Sequence, residues 1–445
     1  MTPRRIAVVG AGMAAARFAR RVHELAGPGA VDVVLYGAEP DRPYHRGLLP
    51  ALLAGGYAGA SLALPTGAAT VHTATPVLAL DPAARVLRTA AGATPAYDAV
   101  VLATGAEPIL PPVRDLYRPA PRPVPAPATA TASATASARH GADPGTLVAP
   151  AARHDTPPAL KAGVHLLRTL ADCRHLAADA APGRTAVVVG GGALGTGTAH
   201  ALAARGLRVQ LVQRAPHLIP RHLDAPGAAT VRRHLEAGGV RVHTGRTATA
   251  LTGPDHVTGV GLDDGQVLPA ELVLLACGAR PRTALARAAG LAVRTGVVVD
   301  DRLATSAPGV YALGDCAEHR GTTGTDAETA FTQADVLAAR LGGHDPAARP
   351  AAAAPARFRL STAGGELDVA SFGDPRGDAP HTDTVRLTDA TRGTYKKLVL
   401  RGDALVGAIL VGDLSAVGEL TGAFERGESA PPDPLQLLIT EGAPS

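Results

Sequence analysis

Two stretches of the chain share one design. RIAVVGAGMAAARFARRV (Arg5–Val22) and TAVVVGGGALGTGTAHAL (Thr185–Leu202) are each a short β-branched run, a glycine-rich turn and an alanine-rich amphipathic run. Each is followed, at nearly the same distance, by a second apolar run ending in a similar turn: AVVLATGAEP (Ala99–Pro108) and LVLLACGARP (Leu272–Pro281). A strand–glycine–helix unit closed by a matching strand, and then repeated, leaves few architectures open. It predicts an α/β protein with two Rossmann-like three-layer dinucleotide-binding domains.

The spacing inside each turn carries the chemistry. In the first, Gly10 permits the tight turn, Gly12 lets the backbone approach a pyrophosphate, and Ala15 is small enough for the helix to pack on its strand. The helix start offers free N–H groups and the positive end of the dipole to phosphates. The next strand, VDVVLYGAE, leads to Glu39, whose carboxylate suits both ribose hydroxyls and repels a 2′-phosphate. This site favours the adenosine of FAD. The second turn has the full glycine pattern, Gly190, Gly192 and Gly195. Its following strand ends at Gln213 and Arg214, with no acid. Gln213 can bond a 2′-hydroxyl and Arg214 can pair with a 2′-phosphate, although Arg214 reads equally well as an exposed surface residue. NADPH is therefore tolerated, and the choice between NADH and NADPH stays open. The two closing turns add Thr104 and Gly105 to the first site and Gly278 to the second.

Further on, SAPGVYALGDCAEH (Ser306–His319) delivers Gly314 and Asp315 to a strand end, where the carboxylate would bind the ribityl side of FAD. Thr325–Glu328 has capping-box spacing before TAFTQADVLAARL. That helix start would aim its positive end at the flavin pyrimidine.

Between the repeats, residues 114–162 are dominated by alanine, proline, serine and threonine and predict a low-complexity, disordered insertion. The expected organisation is an FAD-binding domain from 1–113 and 284–345, an NAD(P)-binding domain at 163–283, and a smaller α+β domain at 357–430. In the last, LRGDALVGAIL reads as a hairpin turning near Gly402–Asp403, with a helix around Ser415–Arg426.

Composition removes other classes. The formal net charge is +4, but the arginines are scattered and no basic run alternates with aromatics, which argues against nucleic acid. A basic surface can still steer an acidic protein partner. No apolar run approaches membrane-spanning length and nothing near the start resembles a cleavage site, so a cytoplasmic protein is expected. Cys173, Cys277 and Cys316 lie far apart, without the spacing of a disulfide framework, an iron–sulfur cluster or a zinc site. The CxxH pair Cys316 and His319 lacks a second pair, so no metal site is expected. Cys277 reads as a buried small hydrophobe and Cys316 as a filler at a strand end.

These residues in this order resemble the pyridine nucleotide–disulfide oxidoreductase superfamily over nearly the whole chain apart from the insertion. A narrower resemblance, in YGAEPDRPYHRGLLP, GVHLLRTLADCRHL, APHLIPRHLD, GELDVASFGD and TYKKLVLRGDALVGAILVGD, is to the FAD/NAD(P)H module of assimilatory nitrite reductases and related reductases that feed iron–sulfur proteins. It implies that Arg46, in Tyr44–His45–Arg46, lies beside the flavin. Three departures stand out. The family's nitrite-reducing members carry cysteine-rich regions for a cluster and sirohaem, absent here. Gly197 replaces a common glutamate near the flavin–nicotinamide junction. RPYHRGLLP (Arg42–Pro50) lacks the superfamily's redox cysteine pair.

Without that pair, electrons taken from NAD(P)H by FAD must pass to an outside acceptor. The resemblance implies a separate iron–sulfur or rubredoxin-like protein. No side-chain acid or base is needed for hydride transfer, so no catalytic side chain is assigned. A biosynthetic flavoenzyme acting on a small molecule and a flavin-stabilised binding protein are the alternatives. Homodimerisation stays open.

Overall fold

The computed structural model describes residues 2–118, 159–324, 327–350, 357–360 and 367–438. Most of the expected insertion, and Thr325 and Asp326 of the expected capping box, lie outside them.

Two five-stranded parallel sheets realise the repeat. The first runs in the order Val310–Ala312, Ala99–Leu102, Arg4–Val9, Val31–Tyr36, Thr70–His72. The second runs Val164–His165, Leu272–Leu275, Thr185–Val189, Arg208–Gln213, Arg241–Thr244. Repeated segments occupy matching places. The central strands read as continuous apolar runs because both faces are covered, and Ile6, Ala7, Val8, Ala186, Val187 and Val188 are fully buried. Helix α1 (Met13–Ala26) covers the first sheet. It packs on the helix Ala327–Leu341, to which Arg17 is tied through Asp335. A short helix α2 (Leu49–Leu53), α3 (Leu170–Asp179), α4 (Ala193–Ala204) and α5 (Ala225–Ala237) follow.

The chain crosses between the two units through a two-stranded ribbon, Ala106–Pro108 against Ala279–Pro281. Arg205, at the end of α4, ties them again: its guanidinium donates to the carbonyls of Leu53, Ala177 and Ala180, at the C-terminal ends of α2 and α3.

Residues 114–118 and 159–162, at the two ends of the stretch expected to lack structure, are packed against the rest. Arg114 and Ala162 bridge to Ala250 and His256, and Tyr117 bridges Leu160. The reason is local: Leu116 and Lys161 are buried there, so these residues pack despite their low-complexity surroundings.

The C-terminal unit is an antiparallel sheet in the order Arg357–Leu360, Val369–Gly373, Ala404–Val411, Thr394–Arg401, Asp383–Asp389, with a helix at Val417–Arg426. One face buries Leu398 and Leu410 against Leu420 of that helix. The other places Tyr395, Ile409 and Val411 in one core with α4 and α5 of the second repeat.

Candidate functional site

Both glycine-rich turns open at the carboxyl ends of their sheets, where doubly wound folds bind ligands. Gly10 has φ +115, and a Cβ there would lie 2.2 Å from the Ala103 carbonyl oxygen. The closing turn at Ala103, Thr104 and Gly105 therefore touches the fingerprint directly. Gly12 caps α1 with no side-chain hydrogen bond, leaving the first N–H groups to an anion. Ala15 is fully buried in the helix–sheet contact. Gly314 stands against the same helix start: its Cβ would meet Ala14 at 3.1 Å. Its N–H donates to Gln333 Oε1 at 2.8 Å, which fixes the turn that presents Asp315. Thr104 Oγ1 donates to the Arg282 carbonyl at 2.9 Å and pins the crossover.

The charged residues form one network. Glu39, just past its strand, accepts the Tyr44 hydroxyl at 2.6 Å and pairs with Arg46. Arg46 Nη1 donates to the Tyr44 oxygen at 3.1 Å and to the Arg168 carbonyl at 2.9 Å. The Tyr44 oxygen also accepts from the Leu170 N–H at 3.0 Å. Arg168 then donates to Asp315 at 2.5 Å. Burial pushes the Tyr44 phenol up, against the nearby Arg46 charge and together with the Glu39 bond, so it remains a donor. Arg46 lies over the phosphate turn, 3.8 Å from where a Gly12 side chain would begin.

The sequence reading missed Arg168 and Gln333 and gave Tyr44 no role. Arg168 and Gln333 act across more than a hundred residues or from a helix interior, and only the fold brings them in. The one signal was GVHLLRT, quoted for its resemblance alone.

At the second turn Gly190 has φ +110, with a Cβ position 2.3 Å from the Ala276 carbonyl oxygen. A Cβ on Gly195 would fall 1.7 Å from the Gly190 oxygen, so this turn is stricter than the first, where Ala15 suffices. Gly192 caps α4 without a side-chain bond and has open space around it. Gln213 Oε1 accepts the Gly191 N–H at 3.0 Å, so its amide oxygen is committed to the turn. Arg214, next along, is exposed. Gly278 turns the chain with φ +103.

Cys277 departs from its expected full burial: it is half-buried on the floor of this turn. Its Sγ donates to the Val189 carbonyl, and burial raises its pKa against the pull of Arg214. Cys316 is fully buried and faces the carbonyls of Leu102 and Leu313, while His319 turns to Asp301. The gap at Gly197 is filled by other segments: a Cβ there would meet Leu360 at 3.1 Å and Pro50 at 3.4 Å.

Two uncapped helix starts, each behind a turn that admits only glycine at its first position, fit two diphosphate groups. Residues 4–334 match the model of the pyridine nucleotide-disulphide oxidoreductase family. The chain belongs to that family. Residues 364–428 match a second model, the rubredoxin NAD+ reductase C-terminal domain. Among the family's members, the chain is 28% identical to nitrite reductase [NAD(P)H] of Bacillus subtilis over 96% of its own length and 48% of the relative's. It thus spans about half the length of that relative. It is 32% identical to the ferredoxin–NAD(+) reductase component of the biphenyl dioxygenase system of Paraburkholderia xenovorans, over 70% of this chain and 67% of that one. The solved ferredoxin reductase of the CYP199A2 system from Rhodopseudomonas palustris superposes with a TM-score of 0.75 at 25% identity, covering 98% of this chain and 97% of that one. Among the described residues no helix is long and apolar enough to cross a membrane.

Proposed function

We propose that this family member is an FAD-dependent NAD(P)H reductase that hands electrons to a separate iron–sulfur or rubredoxin-like protein. The observation that carries it is the pair of anion-ready turns joined by one ribbon, in a chain with no cysteine between Arg42 and Pro50. Residues 1–113 with 284–345 would hold FAD, 163–283 the nicotinamide nucleotide, and 357–430 would form the third unit. The three cysteines stand unpaired, which suits a reducing compartment such as the cytoplasm.

In this reading Glu39 accepts the adenosine ribose hydroxyls and Asp315 the ribityl hydroxyls. Both carboxylates are paired with arginines. Arg46, over the Gly12 turn, and Arg168, paired with Asp315, would supply positive charge for the diphosphate. At the second turn Gln213, with its oxygen held by Gly191, offers its amide nitrogen to a ribose oxygen. Arg214 stands where a 2′-phosphate would project. When bound, the flavin accepts a hydride from NAD(P)H and can return electrons singly. The protein's part is to orient both nucleotides and exclude water. Pro50 and Leu360 do this at Gly197, where the usual glutamate would bring a charge.

Anaerobic titration tests the reading. One equivalent of NADPH or NADH should bleach the flavin absorbance of the purified protein. A protein that binds no FAD, or whose flavin neither nucleotide bleaches, would overturn it.

A further inference from the structure

The second glycine-rich turn is held by the segment that follows Arg214. The segment between Arg214 and α5, Ala215–Asp224, lies against the turn: Ile219 N–H donates to the Gly191 carbonyl at 2.8 Å. Leu218 packs so close to Gly191 that a Cβ there would be 2.6 Å from Leu218 Cδ2. Ile219 is fully buried at φ +48, a left-handed conformation that a β-branched residue keeps only where its surroundings over-determine it.

Five residues on, the segment is tied to the far end of the chain. Asp224, the N-cap of α5, accepts the Gly227 N–H at 3.0 Å through one carboxylate oxygen. The other accepts the Tyr395 hydroxyl at 2.8 Å and faces Lys397 Nζ at 3.2 Å. Lys397 is 1% exposed, in the interior of a β-strand, and its second partner is the Arg376 carbonyl at 2.9 Å. A buried ammonium on a sheet costs desolvation unless it is paired, so packing alone does not account for it. Two further contacts run the same way. The His222 ring stacks on Phe358 with centroids 4.2 Å apart, and His234 Nε2 bonds the Gly393 carbonyl at 2.7 Å.

The geometry points to Asp224, Tyr395 and Lys397 as positioning residues for the nicotinamide nucleotide: through the segment 218–223, anchored by buried Leu218, Ile219 and Leu223, they hold the Gly191 turn and Arg214 in register. The C-terminal unit is thereby a working part of the NAD(P)H site. This inference rests on the assignment of NAD(P)H to the second turn.

The test separates capping from positioning. Asp224→Ser retains an oxygen for the Gly227 N–H but cannot reach Lys397. Combined with Lys397→Met, it leaves no unpaired buried charge. In the full-length, flavin-loaded protein, KM for NADPH should rise about tenfold, with kcat within about twofold and FAD content unchanged. Tyr395→Phe, which removes one hydrogen bond and no charge, should raise KM about threefold in the same sense. An unchanged KM in flavin-loaded Tyr395→Phe and in the double variant would overturn the inference. So would a parallel fall of kcat and flavin content, which marks general loosening. If the double variant does not fold, Tyr395→Phe decides alone. Wild-type protein that leaves both NADPH and NADH unoxidised would instead refute the assignment of the second turn.

Discussion

Asp315 and Arg168 form an ion pair beside the first turn, and each balances the other's charge. Asp315→Ala should lower FAD affinity about ten- to a hundredfold, the worth of a charge-assisted bond or two. Flavin retained through gel filtration measures it; full occupancy would remove Asp315 from the site. The places of Glu39 and Asp315 in the fold were legible in the sequence because each stands just past an apolar run that forms a strand. Arg168 was not, since nothing in GVHLLRT says which distant turn it reaches. A second residue-scale effect lies in the C-terminal unit. Burial pushes the Asp413 carboxyl up, but the bonds from Lys396 and Ser415 outweigh this and bring it down to about 2. A carboxyl lowered on folding stabilises the protein above its unfolded pKa, and that stability is lost as pH falls through the folded value. Unfolding midpoints should therefore fall between about pH 4 and pH 2, and Asp413→Asn should flatten that part of the curve. Partial exposure keeps the effect small.

At the scale of elements, the two parallel sheets were readable because each strand–glycine–helix unit states its own period and its own turn. The strictness of each turn was not readable. The pattern tolerates glycine or alanine at the third position, but only the second turn brings the Gly190 carbonyl to 1.7 Å from the would-be Cβ of Gly195. Gly195→Ala should therefore weaken NADPH on the order of a hundredfold while leaving FAD bound, a displacement of about an ångström at the phosphate turn. A variant with wild-type KM would show that the helix start shifts freely. Gly197 tells the opposite story. The sequence marked it as a missing glutamate, yet its place is filled by Leu360 and Pro50, from the C-terminal sheet and α2. Tertiary packing between segments far apart in the chain decides such positions, and local pattern cannot.

The whole molecule is three units clamped at their seams by the ribbon at Glu107–Arg280, by Arg205 and by Asp224. Arg118 and Ala159, which flank residues 119–158, are joined directly: the Arg118 N–H donates to the Ala159 carbonyl at 2.8 Å. Replacing residues 119–158 with a few glycines and serines should thus leave flavin content and NADPH-to-dye activity intact, and loss of flavin would contradict this. The central claim is that electrons leave the flavin for an outside acceptor without any thiol. It is tested most directly by stopped-flow with the variant in which Cys173, Cys277 and Cys316 are all serine or alanine. After anaerobic reduction with NADPH, this protein should pass single electrons to an added iron–sulfur protein at close to the wild-type rate. A flavin-loaded, NADPH-reduced variant that transfers electrons to no acceptor would contradict the account.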